Sequence, residues 1–82
     1  MKKTIRSGKR NVIGARVRQI RRRQNPPVSQ EDLAGRLAAM GILMDRSAVS
    51  RIENQTRYVM DYEAEAIAKS LKVPLESLFG HI

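Results

Sequence analysis

Eighty-two residues carrying sixteen Lys and Arg against eight Asp and Glu give a net charge of +8 and an isoelectric point near 10.9, so a polyanion is the expected partner. The length suits one modest hydrophobic core, and with no cysteine and His81 as the single histidine there is no disulfide, thiol nucleophile, zinc finger or well-placed histidine base, so no enzyme, cofactor or metal is expected. No apolar run approaches the roughly 18 residues of a membrane span and none resembles a secretory signal, which makes the cytoplasm the expected location.

Ten of the sixteen basic residues fall in the first 23 positions, a stretch without a single carboxylate. Residues 1–10, with Lys2, Lys3, Arg6, Lys9 and Arg10, hold too few apolar groups to fold alone and form an expected flexible basic arm ahead of one domain over 11–82. Phosphate contact and a merely solvated tail are both open for this arm.

Asn11 is placed to cap a first helix in which Ile13, Val17 and Ile20 recur at i, i+4 and i+7, a buried stripe on an otherwise cationic rod ended by Asn25-Pro26-Pro27. Ser29-Gln30-Glu31-Asp32 has the form of a capping box and opens a second helix with Leu33, Ala34 and Leu37 inward, prolonged by Ala38-Ala39-Met40 and stopped at Gly41. Ile42, Leu43 and Met44 form an apolar connection expected to pack down, and Asp45 caps the third helix. Asp61 is expected to cap a fourth helix with Ala64, Ile67, Ala68 and Leu71 on one face. Past Lys72-Val73-Pro74, a short fifth helix from Leu75 to Phe79 should close the core with Leu75, Leu78 and Phe79, while Met40, Met44 and Met60 serve as gap fillers. No run alternates with period two, so no sheet is expected.

The third helix carries the functional signal. Helical spacing puts Ala48, Val49 and Ile52 on one side and Arg46, Ser47, Ser50, Arg51 and Asn54 on the other. That outer face holds donors and no carboxylate, its two arginines can each fork onto guanine O6 and N7, and a helix fits the DNA major groove. It is the predicted recognition helix.

Several linked stretches then resemble one family. Ile13-Gly14-Ala15-Arg16-Val17-Arg18 with Ile20-Arg21, Ser29-Gln30-Glu31-Asp32-Leu33-Ala34, Ser47-Ala48-Val49-Ser50-Arg51-Ile52-Glu53-Asn54, and Ile67-Ala68-Lys69-Ser70-Leu71-Lys72-Val73 before Leu78-Phe79 resemble the phage-repressor and Cro type of helix-turn-helix domain, the XRE family. The resemblance implies an all-α, five-helix, lambda-repressor-like bundle with its third helix in the major groove, commonly as a homodimer on a two-fold operator. It implies base contacts from Arg46, Ser47 and Arg51 with Ser50 at the same surface, phosphate contacts from Gln30 and Asn54, and a structural ion pair between Arg21 and Glu53. Arg16 and Arg57 are added as candidate phosphate contacts. Of the row Arg16, Arg18, Arg22 and Arg23, not every azimuth can meet one duplex. Two departures stand out: Leu37 to Val49 is about five residues longer than the family's usual tight turn, and Gln55 occupies a position where the family often has glycine.

The expected function is a sequence-specific, double-stranded DNA-binding transcriptional regulator, a repressor acting by operator occupancy. The alternative is the antitoxin of a toxin–antitoxin pair that also binds its own promoter, with a toxin as protein partner. A cationic RNA-binding or membrane-surface protein would use the same charge, but the chain lacks an aromatic stacking set and its helices pattern as a packed bundle.

Overall fold

The computed structural model describes residues 8–79, and every regular element in that range is helical: α1 Gly14–Arg23, α2 Gln30–Ala39, α3 Arg46–Glu53, α4 Asp61–Ser70, and a 3-10 helix Leu75–Phe79. Four α-helices therefore replace the five expected, because the last element is too short to move beyond 3-10 geometry. The start of the basic arm, at Lys2, Lys3 and Arg6, lies outside the described residues, as do His81 and Ile82. No helix among the described residues is long and apolar enough to cross a membrane.

Helix starts follow local chemistry. Asn11 Oδ1 accepts from the amides of Ile13 and Gly14 at 3.1 and 2.8 Å, satisfying two donors that the first turn cannot. Ser29 and Asp32 complete a reciprocal capping box, the Asp32 amide donating to Ser29 Oγ at 2.9 Å and the Ser29 amide to Asp32 Oδ2 at 3.1 Å. Asp45 Oδ1 accepts from the Ala48 amide at 2.9 Å. At α4 the expectation of an Asp61 cap is corrected: Asp61 is the first helical residue, Met60 precedes it, and Glu63 reaches back to accept from the Met60 amide at 2.9 Å.

Three helices end in the same way, with one residue in the left-handed region and paired amides closing the last turn. After α2 it is Gly41 (φ +85°), whose amide bonds Ala38 O while that of Ile42 bonds Leu37 O. After α3 it is Gln55 (φ +65°), with Thr56 returning to Arg51 O, and after α4 it is Lys72 (φ +61°), with Val73 returning to Ala68 O. Gln55 thus adopts the left-handed turn despite its side chain. Lys72 is exposed and its side chain takes no part in any hydrogen bond among the described residues. Lys72→Gly should accordingly raise stability by up to about 1 kcal/mol, read as a higher urea midpoint, and an unchanged or lower midpoint would contradict the strain assigned to this position.

The core gathers Ile13, Val17 and Ile20 of the α1 region, Leu33 and Leu37 of α2, Val49 and Ile52 of α3, Ile67 and Leu71 of the α4 region, and Leu78. α3 rests on α1 and α2, and α4 on α2 and the 3-10 helix. Val28 joins the core from the proline-containing linker. Of the expected apolar connection, Ile42 and Met44 pack against the core while Leu43 stays in water. Leu75 and Phe79 are exposed, so only Leu78 closes the bundle, and Met40 and Met60 are exposed where core positions were expected.

Candidate nucleic-acid interface

α3 is amphipathic in the literal sense: Ala48, Val49, Ile52 and Glu53 are buried, while Arg46, Ser47, Arg51 and Asn54 are exposed and Ser50 is half-buried. The exposed face carries no carboxylate. From Arg46 to Asn54 the one acidic residue is Glu53, and it points into the protein with 2% of its surface accessible. Neither Arg46 nor Arg51 donates a side-chain hydrogen bond or forms an ion pair among the described residues, which leaves both guanidinium forks available.

Helix α3 is held at its C-terminal end by contacts from α1, α2 and the segment before α1. Gly14 lies so close to α3 that a Cβ placed on it would overlap the carbonyl oxygen of Ile52, so α1 and α3 touch through their backbones. Asn11 bridges the same region, its Nδ2 donating to Ile52 O at 3.1 Å and Arg57 O at 2.8 Å. Gln55 Nε2 donates to Asn11 O at 3.1 Å, which ties the turn after α3 to the start of α1.

Glu53 is the hub. Its Oε2 accepts from Arg21 Nε at 2.7 Å, and its Oε1 accepts from Arg21 Nη2 at 2.8 Å, Gln30 Nε2 at 3.0 Å and Arg18 Nε at 3.3 Å. Arg21 is itself buried and spends Nη1 on Val28 O at 2.9 Å. One carboxylate from α3 is thereby clamped by two residues of α1 and one of α2, a forked and charge-assisted arrangement that fixes the rotation of α3 about its axis. Burial pushes the Glu53 carboxyl up, but hydrogen bonds from Arg21, Gln30 and Arg18 and the charge of Arg21 outweigh it, leaving the group below its ordinary value and ionised at neutral pH. Among the described residues no buried side-chain nitrogen or oxygen lacks a partner.

The other candidates divide. Gln30, at the start of α2, meets Glu53 and so reaches the edge of the α3 face. Asn54 takes a hydrogen bond from Arg18 Nη2 at 2.7 Å, and Arg22 lies one turn further along the same row of α1. Arg16 is two residues from Arg18, some 200° around the helix, and instead binds Ser77 O through Nε at 3.0 Å and Gln19 Oε1 through Nη1 at 2.6 Å. Arg57 is half-buried and forked onto Glu63 at 3.1 and 3.2 Å. Arg16 is thus turned to the 3-10 helix and Arg57 to Glu63, whereas Arg18, bonded to Glu53 and Asn54, lies against α3 with Arg22 in the same row. On α1 only the azimuth relative to α3 separates Arg16 from Arg18 and Arg22, and a cationic run by itself does not reveal it.

Arg10 also docks near this end of the molecule, its amide donating to Gln55 O at 2.9 Å, its Nη1 to the Tyr58 hydroxyl at 3.2 Å, and its guanidinium lying 5.2 Å from the Tyr58 ring centre. The residue that leads out of the basic arm therefore sits against the turn that follows α3. No protein-family model, curated protein or solved structure matches the chain at a significant level.

Proposed function

We propose that this protein is a sequence-specific, double-stranded DNA-binding transcriptional regulator of the phage-repressor and Cro (XRE) type, acting as a repressor by occupying an operator. The observation that carries the reading is the exposed face of α3, where Arg46, Ser47, Ser50, Arg51 and Asn54 stand together without a carboxylate on a helix clamped through Glu53. Rigid placement matters because base reading needs donors held in a fixed relation to the groove edges. In this reading Arg46 and Arg51 fork onto guanines, Ser47 and Ser50 complete the base contacts, and Gln30, Asn54, Arg18 and Arg22 lie along the phosphates. The connection from Met40 to Asp45 stands in place of a tight turn.

A homodimer is the expected binding form, since one helix with three or four base contacts specifies little sequence. The exposed apolar residues Val12, Tyr58, Met60 and Phe79 border a single groove near the turn after α3 and offer a seam for a second copy. Half-sites would then repeat with inverted sequence at about 34 Å. The cytoplasm is the compartment in which such a regulator works.

The test is substitution on a duplex selected from a random-sequence pool. Arg46→Ala and Arg51→Ala should each lose about 1 to 3 kcal/mol of binding to the selected site and relax preference at one or two positions, with binding to random duplex falling less. Undiminished discrimination between selected and scrambled duplex in both variants would rule out base reading by α3.

A further inference from the structure

Leu43 is the most exposed large apolar side chain among the described residues, 86% of its surface being accessible. It is not a loose loop tip. The connection is pinned before it by the Gly41 and Ile42 amides, which bond Ala38 O and Leu37 O at 2.9 Å, and after it by the Asp45 cap on Ala48, also at 2.9 Å. Ile42 and Met44 turn inward onto the core, and Leu43 between them stands outward.

What lies beside Leu43 gives the projection a meaning. Leu43 lines an open groove along the flank of α3 together with Ala38, Met44, Asp45, Ala48, Arg51 and Arg57. The floor is apolar, the rim carries Arg51 beside the Asp45 carboxylate and an Arg57 already forked onto Glu63, and Arg51 belongs both to this groove and to the exposed face of α3. A duplex met by Arg51 therefore arrives against Leu43. The base edges of the major groove display one apolar group, the C5-methyl of thymine, among hydrogen-bonding groups.

We infer that Leu43 is a specificity-determining residue that receives the C5-methyl of a thymine close to the base read by Arg51. The inference rests on the reading of α3 as a major-groove helix. Duplex DNA is the occupant that matches the placement of Leu43: Arg51, whose guanidinium has no partner among the described residues, meets a base edge, and the apolar projection beside it meets the methyl. The connection between α2 and α3 is what supplies such a residue, Leu43 lying between the last turn of α2 and the Asp45 cap of α3.

Deoxyuridine differs from thymidine by that methyl alone, which supplies the test. On a duplex selected from a random-sequence pool, thymines are replaced one at a time by deoxyuridine and affinities are measured for the parent and for Leu43→Ala. One thymine per half-site should show about a fourfold loss with the parent, the equivalent of one buried methyl group. Leu43→Ala should bind the unmodified duplex about fourfold more weakly and show no further loss at that thymine. Because Leu43 is exposed, the variant should melt with the parent, so a binding change is not a folding change. If Leu43→Ala binds the unmodified duplex like the parent, or keeps the parent's loss at every deoxyuridine, the inference is overturned while α3 as reading helix stands. A random pool from which no duplex is enriched overturns both.

Discussion

Glu53→Ala should cost about 3 to 5 kcal/mol of folding stability, because it removes one partner of a buried pair and leaves the other charged. Arg21 is 7% accessible and would keep only its bond to Val28 O. Arg18 loses one of its two contacts, and Gln30 loses the acceptor that ties α2 to α3. For a chain of this size such a loss is a large share of the total and lowers the melting temperature by more than 10 °C. Thermal unfolding followed by circular dichroism measures it, and a melting temperature within two or so degrees of the parent would contradict the clamp. The same group sets an acid limit. Its folded pKa is lowered, so its contribution is fully present above the unfolded carboxylate value, about 4.3, and is lost as pH falls through the lower folded value. Glu63, beside Arg57, and Asp32, within the α2 capping box, are lowered as well and act in the same direction. Stability should therefore decline on acidification below about pH 5, and less steeply in Glu53→Gln.

Gly14→Ala is the second large effect. The added methyl would enter space held by the Ile52 carbonyl oxygen, with the Gln55 side chain close by. A flexible neighbour could move aside, but the Ile52 carbonyl, in the last turn of α3 and bonded to the Gln55 amide and Asn11 Nδ2, cannot do so without shifting the end of the helix. The cost should reach about 3 kcal/mol, the upper end for overpacking, even though alanine is the better helix former. Because the shift falls on α3 itself, discrimination between selected and scrambled duplex should drop beyond what partial unfolding explains, measured at a temperature where the variant is fully folded. A variant as stable as the parent would show that α1 and α3 do not meet through their backbones.

The helical stripes were legible because periodicity is local: Val17 and Ile20, Leu33 and Leu37, and Val49 and Ile52 all lie where a 3.6-residue repeat puts them. The caps at Asn11, Ser29 and Asp45 were legible for the same reason. Asp61 was not, since Glu63 sits within the same turn and its longer side chain reaches the Met60 amide. Val28 escaped notice inside a proline-rich linker, and Met60, Leu75 and Phe79 were assigned to a core that Leu78 alone completes at that end. Hydrophobicity says that a residue prefers burial, not that the geometry offers it.

Contacts across the chain were the least visible. Arg21 and Glu53 stand 32 positions apart, and no local pattern joins them; their pairing came from the resemblance. The convergence of Arg18 and Gln30 on the same carboxylate depends on how α1 and α2 are rotated against α3. That rotation also decides that Arg18, rather than Arg16, stands beside Asn54. A sequence displays the cations and not their azimuth. Gln55 and Lys72 hide their left-handed backbone for a related reason, because glycine is the usual signal of that turn and neither is glycine.

The central claim is that α3 enters the major groove, and substitution of single atoms in the duplex tests it most directly. Replacing a guanine of the selected site by 7-deazaguanine removes the N7 acceptor from the major groove, whereas replacing it by inosine removes the amino group from the minor groove. At the guanines read by Arg46 and Arg51, the first change should cost the parent about 1 kcal/mol and cost nothing further in the corresponding alanine variant, while the second leaves affinity nearly unchanged. Affinity insensitive to 7-deazaguanine at every position, but weakened by inosine, would place the protein in the minor groove and contradict the account.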